Sequence, residues 1–202
     1  METMAAAPTT TRAISTIDTA QYEEFGGGFG IGEAIFWDLA VAPGQWDMRD
    51  GYDPRNVIPI MSGTLAGTGI PGAGRTSVCG VSPEVFPDPT FYRANFGGRF
   101  ATSLKLAGWD GIVIEGKADE PVWIDIRDDD VQVQACATLS LWGTDTWECQ
   151  QTIWSHVAGG QHYGDWLQPG EGSGQTTQRP AVLAIGPAGE NLSRMACLIH
   201  DA

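Results

Sequence analysis

The chain has little charge, and least of all positive charge. Of its 202 residues 18% are charged, and 25 acidic residues face 11 lysines and arginines, giving a formal net charge of −14. An average domain carries about 25% charged residues. Because a field of this sign repels phosphate backbones and anionic lipid headgroups, we expect neither nucleic acid nor a membrane as partner. An acidic surface that serves only solubility explains the same composition.

Cysteine is scarce, and its spacing excludes the usual metal sites. The four cysteines contain no C-x-x-C pair, so the sequence itself predicts neither a zinc nor an iron–sulfur ligand set. We expect most of them to be buried as small apolar side chains. They are Cys79, Cys136, Cys149 and Cys197.

Histidine is also scarce, with three residues, and the sequence has no long apolar segment. His156 and His162 lie six residues apart in a glycine-rich stretch, a spacing that fixes no metal geometry, and His200 is expected to be structural. Nowhere do 18 apolar residues follow one another, so no transmembrane helix is predicted. The first residues show neither a signal-type apolar core nor an arginine-rich pattern. We therefore expect a cytoplasmic protein.

Glycine, by contrast, is abundant, with 27 residues, or about twice the usual share of about 7%. The run Gly26–Gly32 precedes EAIFWDLA, whose apolar residues predict a buried helix. A dinucleotide-binding turn is not favoured, because such a turn follows a hydrophobic strand, whereas the preceding DTAQYEEF is polar. We interpret the run as tight packing at a helix start.

Short patterned segments predict an α+β fold with mostly antiparallel β-sheets and a few helices. NVIPIMSG and RTSVCGVS are predicted strands with a glycine-rich turn between them. GIVIEGKA, PVWIDIRDD and VQVQAC alternate in a way that predicts a β-meander. Helices are predicted from Phe96 to Gly108 and after Asp145, which with Glu148 resembles a capping box.

The predicted organisation is one arm and one domain. Residues 1–17 are rich in alanine and threonine without apolar periodicity, which is typical of a flexible, loosely docked arm. Residues 18–202 are long enough to form one globular domain with its own core. Within this domain, residues 156–180 have little periodicity and are expected to form a long mobile loop.

Two glycine-containing turns carry the candidate binding residues. In GAGR (72–75) small residues let a ligand approach the backbone, and Arg75 can donate two parallel hydrogen bonds to a phosphate. NFGGR (95–99) opens the predicted helix, where free N–H groups and missing Cβ atoms at Gly97 and Gly98 favour an anion. Asn95 is either the N-cap of that helix or a ligand of a hard cation that bridges phosphates.

The segment ANFGGRFATSLKLAGWDGIVIEGKADEPVWIDI (94–126) resembles a pattern of the aldehyde:ferredoxin oxidoreductase family. In that pattern Asn-x-Gly-Gly precedes a helix ending near Leu-Lys-x-Ala-Gly, and a strand then reads Ile-Val-x-Glu-Gly-Lys. Three further blocks agree in order and spacing: residues 26–32, SGTLAGTGIPGAGR (62–75) and AIGPAGENL (184–192). Because four blocks in sequence span most of residues 26–202, the resemblance is specific.

The resemblance implies a domain that forms the base for a tungsten ion held by the dithiolenes of two pterins. Arg75, Gly97 and Gly98 would then contact the pterin, and Asn95 would help to hold a magnesium ion that bridges the pterin phosphates. The implied reaction is the two-electron oxidation of an aldehyde to a carboxylate.

Several family features have no counterpart in the sequence. GGFG (27–30) stands where the family shows Gly-Arg-Gly, and Ser103 where a glutamate is common, which implies different substrate or partner contacts. The strand that normally opens the family's chains is expected to be missing or replaced by the threonine-rich arm. The second pterin loop, the cysteines of a [4Fe–4S] cluster and the acid/base residues follow later in the family, so no catalytic residue is assigned.

The resemblance therefore implies partners. We expect another subunit, or the rest of a longer chain, to supply the second pterin loop and the [4Fe–4S] cluster and to pass electrons to a ferredoxin-like acceptor. Two alternatives stay open. One is a non-catalytic scaffold domain that has lost the cofactor, and the other is part of a tungsten enzyme that reduces aromatic thioesters.

Overall fold

A computed structural model describes residues 2–6, 12–85, 87–158 and 180–200 of the chain. The chain divides into two compact units, residues 1–135 and 136–202, and each unit is described by itself. The single domain expected over residues 18–202 stays a prediction.

The described residues of the first unit form eight strands and two α-helices. They are β1 (Glu2–Ala6), β2 (Ile14–Asp18), α1 (Phe29–Phe36), β3 (Val57–Ser62), β4 (Thr76–Val81), β5 (Phe91–Phe96), α2 (Phe100–Leu106), β6 (Trp109–Glu115), β7 (Val122–Arg127) and β8 (Asp130–Ala135). Six strands form one sheet in the order β2-β1-β6-β3-β4-β5, in which only β1 and β6 run parallel. The α+β class with mostly antiparallel strands is confirmed.

The two helices cover opposite faces of this sheet. Gly32 of α1 lies so close to Cys79 of β4 that a Cβ on it would be 2.9 Å from the Cys79 sulfur. On the other face, the hydroxyl of Ser62 donates to the backbone oxygen of Ala101 in α2, at 3.3 Å. Ser62 pairs with Thr76, and residues 76 and 79 of one strand point to opposite faces. The main core fills the space beneath α1, where Ile35 and Val113 are fully buried.

The amino-terminal strands correct one expectation. Residues 2–6 pair with residues 14–18 and run parallel to β6, so they belong to the sheet. Instead of the flexible, loosely docked arm expected over residues 1–17, the structure has paired strands in these two segments, and an opening strand is present. The segments ETMAA (2–6) and ISTID (14–18) contain few large apolar residues and give no apolar periodicity, whereas pairing through backbone groups requires none.

The stretch around Asn95 also differs from its prediction. Residues 91–96 form the edge strand β5, and α2 begins only at Phe100, with Arg99 as its N-cap residue and no side-chain cap bond. Asn95 is therefore not the N-cap of a helix. Four successive exposed residues, 92–95, hide the strand from any test based on apolar alternation.

The predicted β-meander is correct in its strands and in the pairing of β7 with β8, and wrong in the pairing of β6 with β7. The central strand β6 lies inside the six-stranded sheet, whereas β7 and β8 pair only with each other as a separate hairpin. The sequence pattern predicts strands but does not choose their partners.

The second unit contains α3 (Thr146–Ala158), β9 (Leu183–Ala184), α4 (Gly186–Glu190) and β10 (Ile199–His200). The cap predicted at Asp145 is confirmed, because its carboxylate accepts from the backbone N–H of Glu148 at 2.8 Å. Trp154 is buried and donates to the Pro180 oxygen, whereas Trp147 is 60% exposed, so Trp154 packs α3 and Trp147 does not. Most of the predicted loop over 156–180 lies outside the described residues.

Cysteine burial matches the expectation in part, since Cys79 and Cys136 are buried while Cys197 is exposed. Among the described residues, no three His, Cys, Asp or Glu side chains are grouped so that they could hold a metal ion. No helix in the described part of the chain is long and apolar enough to span a membrane.

Candidate functional site

The β4–β5 pairing brings Arg75 and Asn95 together at one end of the sheet. Asn95 lies opposite Ser77, and Arg75 precedes Ser77 by two residues, so Arg75 and Asn95 are diagonal neighbours on one face. The Nη1 atom of Arg75 donates to the Oδ1 atom of Asn95 at 2.6 Å, and both side chains are exposed. Two residues predicted from separate motifs thus share one contact.

Glycines line the turn next to this pair. Gly98 has a φ of +89° and leads from β5 into α2, and its backbone oxygen would lie 3.1 Å from a Cβ on Gly74. The two turns GAGR and NFGGR therefore approach each other through their backbones. Gly97 is exposed, and apart from Gly97 and its two chain neighbours no residue of the described chain has an atom within 4 Å of the position of its missing Cβ. Space for a ligand adjoins the backbone at Gly97.

The first glycine run reaches the same end of the sheet. The Thr64 hydroxyl donates to the Gly26 oxygen at 2.7 Å, and a Cβ on Gly28 would be 3.4 Å from the Gly63 Cα atom. The backbone N–H of Gly63 in turn donates to the Arg75 oxygen at 3.2 Å. Three of the four sequence blocks therefore meet at this end of the sheet, namely 26–32, 62–75 and the start of 94–126. The fourth block, 184–192, lies in the second unit.

Sequence reasoning missed Arg93. This residue is on β5 two positions before Asn95, so its side chain leaves the same face, and its guanidinium carbon lies 4.6 Å from the centre of the Phe29 ring at the start of α1. The signal for it was the i, i+2 spacing of Arg93 and Asn95, which has meaning only once the segment is known to be a strand. Arg75 and Arg93 place two of the chain's few cations on this face.

Cys79, on the same face of β4, is not a candidate nucleophile. Burial raises the pKa of its thiol to about 12, and the negative charge of Glu33 adds to the rise. A thiol with such a pKa is protonated at neutral pH and therefore unreactive.

Asp110 and Lys105 form a buried support behind the site. Lys105 at the end of α2 makes an ion pair with the Asp110 carboxylate of β6, and the Thr19 hydroxyl donates to the other carboxylate oxygen at 2.6 Å. Asp110 is only 5% exposed. These contacts join α2, β6 and the turn after β2, so their role is to hold elements together.

Comparisons with known proteins agree with the four blocks. A family model described as the aldehyde ferredoxin oxidoreductase N-terminal domain matches residues 8–202. The tungsten-containing aldehyde ferredoxin oxidoreductases of Pyrococcus furiosus and Thermococcus kodakarensis are each 34% identical over 152 residues, which is 75% of this chain and 21% of theirs. The WOR-like subunit of an aliphatic sulfonate oxidoreductase from Pyrococcus furiosus is 29% identical over 177 residues, 88% of this chain and 26% of that subunit.

A solved structure shares the fold. The BamBC active-site complex of benzoyl coenzyme A reductase, determined with 1,5-dienoyl-CoA, superposes with a TM-score of 0.77 at 26% identity, covering 98% of this chain and 26% of that one. The chain thus spans about a fifth to a quarter of the length of these relatives. With the family match over residues 8–202, this shows that the chain belongs to the family of aldehyde ferredoxin oxidoreductase N-terminal domains.

Proposed function

We propose that this chain is the part of a tungsten oxidoreductase that binds the phosphate-bearing side of a tungsten bis-pterin cofactor. The cofactor contacts are Arg75, Asn95, Gly97 and Gly98, with Asn95 also serving a magnesium ion. The observation that carries the proposal is the Arg75–Asn95 contact at the glycine-lined end of the sheet. A tungsten-containing cofactor is suggested by the names of the aldehyde-oxidising relatives.

The donor set fits a phosphate. Arg75 uses Nη1 for Asn95, which orients the guanidinium and leaves Nε and Nη2 on its other edge for an anion. Since the chain has only 11 basic residues against 25 acidic ones, the exposed guanidinium is a local exception in a negative field. Asn95 thus acts as a positioning residue for Arg75.

The backbone of Asn95 suits the cation better than its side chain does. The Oδ1 atom already faces a positive guanidinium, which would repel a magnesium ion on the same oxygen. The Gly63 N–H donates to the Arg75 oxygen, so the backbone N–H and C=O groups of residues 75 and 77 point towards β3, and those of residue 76 point towards β5. Asn95, which lies opposite Ser77, therefore occupies a non-hydrogen-bonded position. Its carbonyl therefore points to the outer edge of β5, where a hard cation can use it.

When bound, the cofactor would supply the two-electron oxidation of an aldehyde to a carboxylate. This chain's residues would bind and orient it: Arg75 through charge, Gly97 through an uncovered backbone, and Asn95 through its carbonyl. The second pterin loop, the [4Fe–4S] cluster and the contact with a ferredoxin-like acceptor would come from residues outside these 202, in the same polypeptide or in a partner subunit. We assign no catalytic acid or base within the chain.

The test is the cofactor content of an Arg75→Ala variant. We expect its tungsten and pterin content, measured by mass spectrometry of metals and by pterin fluorescence after co-expression with the rest of the enzyme, to fall at least about tenfold, the loss of about 1.4 kcal/mol of binding. Arg49→Ala, which removes another exposed arginine of the same unit, is the matched control and should keep its tungsten. Full cofactor content in Arg75→Ala would refute the site.

A second candidate function rests on the BamBC likeness, which covers 98% of the chain. In this alternative the same site holds the same cofactor, but the complete enzyme reduces an aromatic thioester. Activity of the complete enzyme with an aldehyde or with an aromatic coenzyme A thioester separates the two. Absence of tungsten and pterin from a folded, complete preparation would instead favour a scaffold that has lost the cofactor.

A further inference from the structure

A cavity lies on the α1 face of the sheet, at the opposite end of β5 from Asn95. Its volume is about 340 Å³, in the range of small-ligand pockets, and it opens to solvent. All of its wall belongs to the first unit. The lining residues are Glu33, Phe36, Trp37, Val41, Trp46 and Phe91.

Aromatic rings at different inclinations form most of the wall. The Phe36 ring lies edge-on to Trp46, with centroids 6.0 Å apart, and is tilted against Phe91 at 4.7 Å. Trp37 and Trp46 are 60% and 48% exposed, although indoles are usually well buried. The cavity therefore keeps large aromatic surfaces in contact with water.

The backbone of α1 changes where it borders this cavity. After Phe36 the helix continues as a π-helical turn over Trp37–Val41, closed by the bond from the Ala42 N–H to the Trp37 oxygen at 2.8 Å. The wider turn places Trp37 and Val41, its first and last residues, in the same wall. Single π-helical turns are rare and frequently mark functional sites.

Glu33 is the one charged residue among those lining the cavity. It is exposed and makes no ion pair within the described part of the chain. The guanidinium of Arg93 lies over Phe29, one helical turn before Glu33, and does not line the cavity. A cation in this cavity is attracted both by the charge of the carboxylate and by the negative faces of the aromatic rings, whereas an anion is repelled.

We propose that this cavity binds an organic cation of the alkylated-ammonium class, with its alkyl groups against the rings and its charge near Glu33. The site is separate from the cofactor contacts at Arg75 and does not depend on the proposed cofactor. An ammonium group with alkyl substituents matches the wall because most of the wall is apolar and its single charge is negative.

Calorimetric titration of the 202-residue chain with two probes tests whether binding in the cavity requires a positive charge on the ligand. Choline carries a quaternary nitrogen, and 3,3-dimethylbutan-1-ol has the same shape with carbon in that place. We expect choline to bind one-to-one and about tenfold more tightly than the neutral alcohol. Equal affinities, or no saturable binding of choline, would overturn the proposal.

Two variants locate the binding. Glu33→Gln should lower choline affinity about tenfold and leave the alcohol unchanged, whereas Trp37→Ala should weaken both. Glu24→Gln, which neutralises another exposed glutamate of the same unit, is the matched control and should bind choline as the unmodified chain does. If Glu33→Gln and Glu24→Gln lower the choline affinity equally, the net negative charge of the protein, and not the cavity, attracts the cation. Unchanged thermal melting of each variant shows that the fold is kept.

Discussion

At the scale of single residues, the glycines of the candidate site have different reasons to be glycine. Gly98 needs its missing side chain for conformation, since its φ is +89°, and Gly74 needs it for the close approach to the Gly98 oxygen. Gly97 has neither reason, because its backbone is not left-handed and no described residue beyond its two chain neighbours has an atom within 4 Å of its Cβ position. The open space beside Gly97, which neither backbone conformation nor packing requires, suits a bound ligand.

This difference predicts the behaviour of Gly97→Ala. The substitution should change the free energy of unfolding by less than about 1 kcal/mol, because it meets no neighbour and strains no dihedral. It should nevertheless lower tungsten and pterin content in the assembled enzyme, because the methyl group occupies the approach to the backbone. Urea unfolding and metal analysis of the same preparation check both parts. Normal cofactor content would show that Gly97 is not a contact.

The cysteines are predicted to differ in reactivity. Because the pKa of Cys79 is raised to about 12, its thiol stays protonated and unreactive towards iodoacetamide at pH 8, while the exposed Cys197 is alkylated. Peptide mass spectrometry after timed alkylation measures this order. In denaturant Cys79 should react as well, and modification of native Cys79 at the rate of Cys197 would contradict the burial assigned to it.

At the scale of elements, strands were predictable where apolar residues cluster or alternate along the sequence, and were missed where they do neither. β3, β4 and β6 have apolar residues that the sequence shows directly, and their structures agree with the prediction. β5 is an edge strand with exposed residues 92–95, so only its backbone pairing with β4 defines it. For that reason Arg75 and Asn95 were predictable as candidates, but their contact was not.

The buried ion pair between α2 and β6 gives a prediction at this scale. Asp110→Ala should lower the free energy of unfolding by about 3 kcal/mol, because it removes the carboxylate that pairs with the Lys105 ammonium in a mostly buried position. The hydrogen bond from the Thr19 hydroxyl to this carboxylate would also be lost. Urea unfolding measures the loss.

The matched control for Asp110 is Glu120→Gln, which removes one partner of the solvent-exposed Arg12–Glu120 pair. Exposed pairs contribute less than about 1 kcal/mol, so this variant should be nearly as stable as the unmodified chain. Similar losses of unfolding free energy in Asp110→Ala and Glu120→Gln would show that burial does not make the Lys105–Asp110 pair more stabilising than the Arg12–Glu120 pair.

At the scale of the whole molecule, the family could be recognised from four blocks in the sequence, but the way they meet could not. The loops after β3 and β5 and the glycine run before α1 converge because strands β3, β4 and β5 are neighbours in the sheet. The strand order depends on pairing between residues far apart in the chain, which local periodicity does not encode.

The net charge of the chain predicts how its melting temperature depends on salt. With a formal charge of −14 the folded chain repels itself, and salt screens that repulsion. Raising sodium chloride from about 10 mM to about 150 mM, where the screening length falls from about 30 Å to about 8 Å, should raise the melting temperature. Calorimetry at the two concentrations measures it, and a fall in melting temperature would mean that local ion pairs outweigh the mean repulsion.

The diagonal contact between Arg75 and Asn95 restricts which changes in length the protein can accept during evolution. A deletion of one residue within β5 would turn Asn95 to the opposite face of the sheet and separate it from Arg75, since side chains alternate with a period of two. A change in the length of the β4–β5 connection leaves that parity intact as long as the pairing is kept. Lineages that bind the same cofactor should therefore vary in this connection and hold the length of β5 constant.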